Sequence, residues 1–178
     1  KRSHEAPRSV LVLLASLLLA GPAGAVVFTV NDAGSAADST PGDGLCATAG
    51  GVCTLQAAVD ETNALAAGAP HAIRFAGAMT STVADTLVVT RAGTVIDGIT
   101  GNPAFAGTPV VEVVPQGAFL HGFRVTGGSA TIRGLVVRGF EGSGIVLQSS
   151  GNVVRGCYVG TNAAGAAAAP NSSVGIAV

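Results

Sequence analysis

Tryptophan is absent from this 178-residue sequence, tyrosine and methionine occur once each, and charged residues make up only 11%. Lysine occurs only as Lys1, so downstream of it there is no Lys/Arg cluster to neutralise phosphates, which argues against a nucleic-acid partner. Past Ala25, six arginines face nine carboxylates, giving about −3 with histidine neutral. In place of aromatics and charge the chain has 26 glycines and an excess of alanine and valine. That composition suits flat, repeated, closely stacked backbone.

Long apolar runs are missing too. The longest, Val10 to Ala20, has 11 residues, too short to cross roughly 30 Å of hydrocarbon as a helix. Lys1, Arg2 and Arg8 precede it and Ala23-Gly24-Ala25 follows it, the order of a secretory leader with a small-residue cleavage site. Residues 1–25 are therefore expected to be a signal peptide cut between Ala25 and Val26, leaving no membrane span; an uncleaved anchor is the competing reading. Lys1 stands where an initiator methionine would be expected, and Gly175-Ile176-Ala177-Val178 reads as the opening of a strand. Both ends are expected to be cut.

Three cysteines follow the leader. Cys46 and Cys53 enclose six residues, including Ala49-Gly50-Gly51, so a local disulfide closes easily, as exported proteins favour. A zinc site is the rival, but two sulfurs leave the ion half coordinated and the nearest histidine is His71. Cys157 falls at an apolar strand position and reads as a small buried hydrophobe.

Val26 to Val30 is a short β-rich run, and Asn31 to Gly44 is rich in Gly, Asp, Ser and Pro, which breaks regular structure. Thr54 reads as an N-cap, after which Leu55, Ala58, Val59, Thr62, Leu65 and Ala66 recur at helical spacing until Gly68 and Pro70. From Ala72 the pattern becomes short β-rich runs broken by glycine: residues 73–75, 87–89, 94–96, 110–114, 123–125, 131–137, 144–147 and 153–159. Many short strands without intervening helices fit a sandwich, a barrel or a solenoid.

A repeat decides among these. Ile132-Arg133-Gly134-Leu135-Val136-Val137 realigns 22 residues later on Val154-Arg155-Gly156-Cys157-Tyr158-Val159, about one turn of a three-faced parallel coil. Ser143-Gly144-Ile145-Val146 realigns on Val174-Gly175-Ile176-Ala177 after 31 residues, with Tyr158 to Ser173 bulging as the longer loop. Stacked turns pile like side chains into columns, so Ile132/Val154 and Leu135/Cys157 are candidate interior columns, with Gly134/Gly156 at corners. Arg133 and Arg155 would lie one above the other on the outer face, either simply solvated or as an arginine ladder for an acidic polymer. The fold expected is all-β, a right-handed parallel β-helix with an N-terminal capping α-helix over the exposed edge of its first turn.

No catalytic constellation stands out. From Phe105 onward the acids are Glu112 and Glu141, 29 residues apart at unrelated repeat positions, where a glycosidase needs paired carboxylates and a calcium-dependent lyase needs several beside a base. Asn31, Asp32, Asp38 and Asp43 match no compact calcium loop and read as turn residues, while Asp85 and Asp97 fall in strand or turn segments, with Asp97-Gly98 a corner turn. His71 and His121 stand alone. No catalytic, metal-binding or cofactor-binding residue is therefore assigned, and no cofactor is expected.

The segment Gly44-Leu45-Cys46-Ala47-Thr48-Ala49-Gly50-Gly51-Val52-Cys53-Thr54-Leu55-Gln56-Ala57-Ala58-Val59 resembles CSLREA-domain proteins. In that family the element follows a signal peptide and an opening similar to Phe28-Thr29-Val30-Asn31-Asp32, ahead of a right-handed β-helix of pectin-lyase-like type. The runs 132–140, 144–147 and 151–162 are similar to the family's β-helix repeats. The family's Arg-Glu pair is replaced here by Gln56-Ala57, removing whatever ion pair or helix-capping carboxylate it supplies. The resemblance implies an exported surface or extracellular protein and no agreed activity. The division expected is a leader 1–25, a cap 26–70 and β-helix turns 71–178. The function expected is a secreted or surface structural and adhesive protein whose partner is an extracellular glycan or cell-surface component. The alternative is the stem of a polysaccharide lyase or hydrolase whose active site lies past residue 178.

Overall fold

The computed structural model describes residues 24–65, 68–118 and 121–178. Most of the expected leader falls outside them, as do Ala66 and Ala67 at the end of the expected helix. The chain opens with β1 (Val27–Val30) and α1 (Leu55–Ala64), followed by β2 (Ala72–Phe75), β3 (Met79–Val83), β4 (Leu87–Val89), β5 (Val95–Asp97) and β6 (Val111–Pro115). Then come β7 (Phe123–Val125), β8 (Thr131–Arg133), β9 (Leu135–Val137), β10 (Ile145–Leu147), β11 (Val153–Arg155), β12 (Tyr158–Val159) and β13 (Ile176–Ala177).

The strands form three sheets, ordered β1-β2-β5-β8-β11, β12-β9-β6-β3 and β13-β10-β7-β4. Every strand pairing is parallel. From β2 onward each strand lies beside the one three later in sequence, so the backbone advances by one strand spacing, about 4.8 Å, per turn. Among the described residues the expectation of a mostly β chain with parallel strands and one helix is met, and the arrangement is solenoid-like.

Alternation along each strand sends every second side chain inward, and register piles these into columns. Phe28, Ile73, Ile96, Ile132 and Val154 stack in one sheet; Leu87, Phe123, Ile145 and Ile176 stack in another. Phe75, Phe123, Phe140, Ile73, Ile96, Ile132 and Ile145 are among the largest fully buried side chains, whereas Ile176 in the last strand is exposed. Each such burial contributes about 1.5–3 kcal/mol. The expected 22-residue alignment holds, since Val154 pairs with Ile132 and Arg155 with Arg133.

Two runs expected as single strands are each divided. Residues 131–137 and 153–159 break at Gly134 and Gly156, whose φ values of 66° and 60° turn the chain from one sheet into the next. A side chain at Gly134 would also run into Ile99, so this corner excludes a Cβ on both counts. Strand β3 was not singled out in the sequence, because its inward column of Ser81, Val113, Val137 and Val159 begins on a buried serine.

Helix α1 starts where expected: the Thr54 hydroxyl accepts the Ala57 N–H at 3.0 Å. It ends at Ala64, with Leu65 as the cap. The helix packs against β1, β2, β3 and β4, at the first-turn rim, and several of the rim's backbone groups find partners there. The Asn63 side chain donates to Val88 O on β4 and accepts from Thr90 N just after it. Ala33 O accepts from Thr82 N on β3, and Cys53 O accepts from Asn31 N after β1. Strand edges that would otherwise recruit other chains are thus occupied.

The Cys46–Cys53 disulfide is present, with Cα atoms 5.1 Å apart. Closing so short a loop stabilises by about 2.5 kcal/mol on the chain-entropy account. Cys46→Ser or Cys53→Ser is expected to lower Tm by roughly 5–10 °C, and intact mass should rise by two protons on reduction. An unchanged Tm in both variants would show that the bridge does not tension the cap.

Candidate functional site

Strand register gathers charge on one outer face. Thr29, Arg74, Asp97, Arg133 and Arg155 fall in a single column across β1, β2, β5, β8 and β11. Beside them runs a column of small and apolar residues, Val27, Ala72, Val95, Thr131 and Val153.

Asp97 is the pivot of the ladder. Its Oδ2 pairs with the Arg133 guanidinium at 2.5 Å, and its Oδ1 accepts the N–H groups of Ile99 (2.9 Å) and Thr100 (3.1 Å). Burial pushes this carboxyl up, but the Arg133 hydrogen bond and those from Thr100 and Ile99 outweigh it and hold the pKa at about 2. The same carboxylate fixes the start of the Gly98–Val110 connection, while Asn102, buried, ties it down through Gly77 O and Gly98 O. Arg133 also donates to the Thr100 hydroxyl.

The reading of Arg133 and Arg155 as one solvated pair needs correction. Arg155 is exposed, but Arg133 is half-buried and committed to Asp97, because register brings a carboxylate of the preceding turn directly beside it. Asp97 likewise is a buried ion-pair residue as well as a turn residue. The Arg74 and Arg155 side chains make no hydrogen bond or ion pair among the described residues, and the Arg74 Nε is buried without a partner. The ladder therefore holds two uncommitted guanidinium groups flanking a neutralised centre. Such a surface can bind an anion through the guanidinium groups of Arg74 and Arg155.

Asp97 also sets an acid limit. Its folded pKa lies below the ordinary 3.8, so its stabilisation is complete above that value and is lost as pH falls toward 2. The contribution is at most roughly 2 kcal/mol. Asp97→Asn is expected to remove this segment of the wild-type stability-versus-pH curve, measured by urea unfolding between about pH 5 and 2. Parallel curves for the two proteins would refute the pairing.

The other charged residues are dispersed. Glu112 pairs with Arg138 at 2.6 Å on β6, while exposed Glu141 lies in the turn before β10. Asp32, Asp38 and Asp43 accept nearby backbone N–H groups, from Gly34, from Thr40 and Ala47, and from Leu45. Asn31 Oδ1 accepts from Cys53 N, and Asp85 Oδ1 from Thr86 N. His121 Nδ1 accepts from Ser143 N, and His71 Nδ1 from Val26 N. Burial raises the partly buried Cys157 thiol, against opposing hydrogen bonds from Leu135, Gly134 and Arg155, so it is not a ready nucleophile. Among the described residues, no group of three or more His, Cys, Asp or Glu side chains is placed to hold a metal ion, and no helix is long and apolar enough to cross a membrane.

No family model, curated protein or solved structure matches the chain. A functional reading rests on these side chains and on the stacking that presents them.

One buried charge escaped the sequence reading altogether. Glu61, fully buried on α1, accepts from the N–H groups of Gly42 and Gly44 and so binds the Gly-rich loop to the helix. Its spacing was a clue: Glu61 follows Ala58 by three residues and precedes Leu65 by four, on the apolar stripe.

Proposed function

We propose that this chain is an exported right-handed parallel β-helix of the CSLREA-domain type, serving as a structural or adhesive stem on or outside the cell. The reading divides it into a leader 1–25 cut between Ala25 and Val26, a cap 26–70 and stacked turns 71–178. The observation that carries it is the strand order, in which each strand from β2 onward neighbours the strand three later. Right-handedness follows the general rule for parallel crossover connections. A disulfide in the cap agrees with an oxidising compartment.

The partner proposed is an extracellular glycan or cell-surface component carrying anionic groups. Support comes from Arg74 and Arg155, which flank the Asp97–Arg133 pair beside a column of apolar and small residues. Exported protein passed over immobilised polygalacturonate is expected to be retained at low salt, released as salt rises, and to generate no unsaturated chain ends. Passage without retention would overturn the glycan partner. Accumulating unsaturated uronates would overturn the non-enzymatic reading in favour of a lyase.

A further inference from the structure

Val26 is held at both of its backbone groups. Its N–H donates to Nδ1 of His71 at 3.0 Å, and its carbonyl accepts from Ala72 N at 2.9 Å. The residue is thereby fixed one position ahead of the β1–β2 ladder, which starts at Val27 and Ala72. His71 is 1% exposed, and its ring meets Phe28 edge-on with centroids 6.4 Å apart. Gly24 and Ala25, immediately before this clamp, are exposed.

We propose that His71 is the binding site for the α-amino group created at Val26 when the leader is removed. The inference rests on the leader reading above. Hydrolysis places the hydroxyl of water on the Ala25 carbonyl carbon, breaks the C–N bond, and leaves a carboxylate on Ala25 and an ammonium on Val26. The nitrogen that had one hydrogen to donate then has three. One keeps the His71 Nδ1 bond, and the others face the solvent-exposed position that Ala25 occupied.

This arrangement requires an imidazole that accepts at Nδ1, and so carries its proton on Nε2. Burial, and then the Arg91 cation, lower the His71 pKa against the opposing pull of Glu61, so the ring keeps its Nδ1 lone pair. The Nε2 atom is buried without a hydrogen-bond partner, so an imidazolium would gain a second stranded donor facing a donor. With both backbone groups of Val26 engaged, the scissile bond cannot be drawn into an extended protease cleft, and leader removal must precede closure of the first turn.

Residues 26–178 contain no lysine, so the Val26 amine is their only primary amine and its reactivity can be read directly. Intact mass of the exported protein identifies the first residue; one other than Val26 overturns the leader reading and the site with it. Given Val26, acetylation by an N-hydroxysuccinimide ester at pH 7 is expected to run at least tenfold slower in folded wild type than in His71→Ala. Equal rates in two folded proteins would overturn the site while leaving the leader intact. Should His71→Ala fail to fold, the imidazole nitrogen spectrum of wild type decides: a proton on Nε2 is the expected result, and a proton on Nδ1 overturns it.

Discussion

Gly122→Ala is expected to cost more than 3 kcal/mol and to lower Tm by about 10 °C or more. Gly122 lies between turns, with its own N–H donating to Ser143 O and its carbonyl accepting from Leu87 N. A Cβ there would sit 2.5 Å from the carbonyl oxygen of Gly144 and 2.9 Å from the Phe140 ring. The backbone angle is ordinary, so the requirement is space alone: parallel backbones one strand spacing apart leave no volume for a methyl group. Gly144 faces the same restriction one turn further on, against Gly175 O and Asn171. Gly77→Ala is the matched control, since its Cβ would meet nothing within 4 Å. Thermal unfolding followed by circular dichroism checks the pair. A Gly122→Ala protein melting within 2 °C of wild type would mean that the turns are free to separate there.

Glu61→Ala is expected to destabilise by about 3–4 kcal/mol, through the loss of two charge-assisted hydrogen bonds and the cavity left by a fully buried side chain. The carboxylate is fully buried and accepts from Gly42 and, at 2.5 Å, from Gly44. Gly42 holds φ of 99° and Gly44 of 90°, so the loop has a shape that few residues adopt unaided. Glu61→Gln replaces one acceptor with a donor that would face an N–H, and is expected to recover less than half of the loss. Urea unfolding measures both variants, and limited proteolysis should find the 40–45 segment cut first. A Glu61→Ala protein within 1 kcal/mol of wild type would show that the helix and loop dock without it.

What the sequence revealed and concealed divides along physical lines. Turns of equal length exposed their own alignment, so the pairing of Ile132 with Val154 and of Arg133 with Arg155 was readable from residues 22 apart. The partner of Arg133 on its other side was hidden, because the Gly98–Val110 connection lengthens that turn and puts Asp97 36 residues away. Charged residues read one at a time look solvated, and only register shows which neighbour neutralises them. Helix α1 was announced by its Thr54 cap and apolar spacing, and that spacing places Glu61 on the buried face, yet its charge disguised it as a solvated residue. The asparagines were likewise silent. Asn171, buried, accepts from Phe140 N and donates to Val137 O, work that backbone pairing does elsewhere in the coil.

Asn63 carries the widest consequence. By presenting one amide donor to Val88 O and one acceptor to Thr90 N, a helical side chain imitates the strand that would lie beside β4. An incoming strand meets a β4 edge whose Val88 carbonyl and following Thr90 N–H are already engaged, so this edge has little to offer a second copy. The helix thus closes the β4 edge to a further strand by matching its hydrogen-bonding pattern with a single side chain.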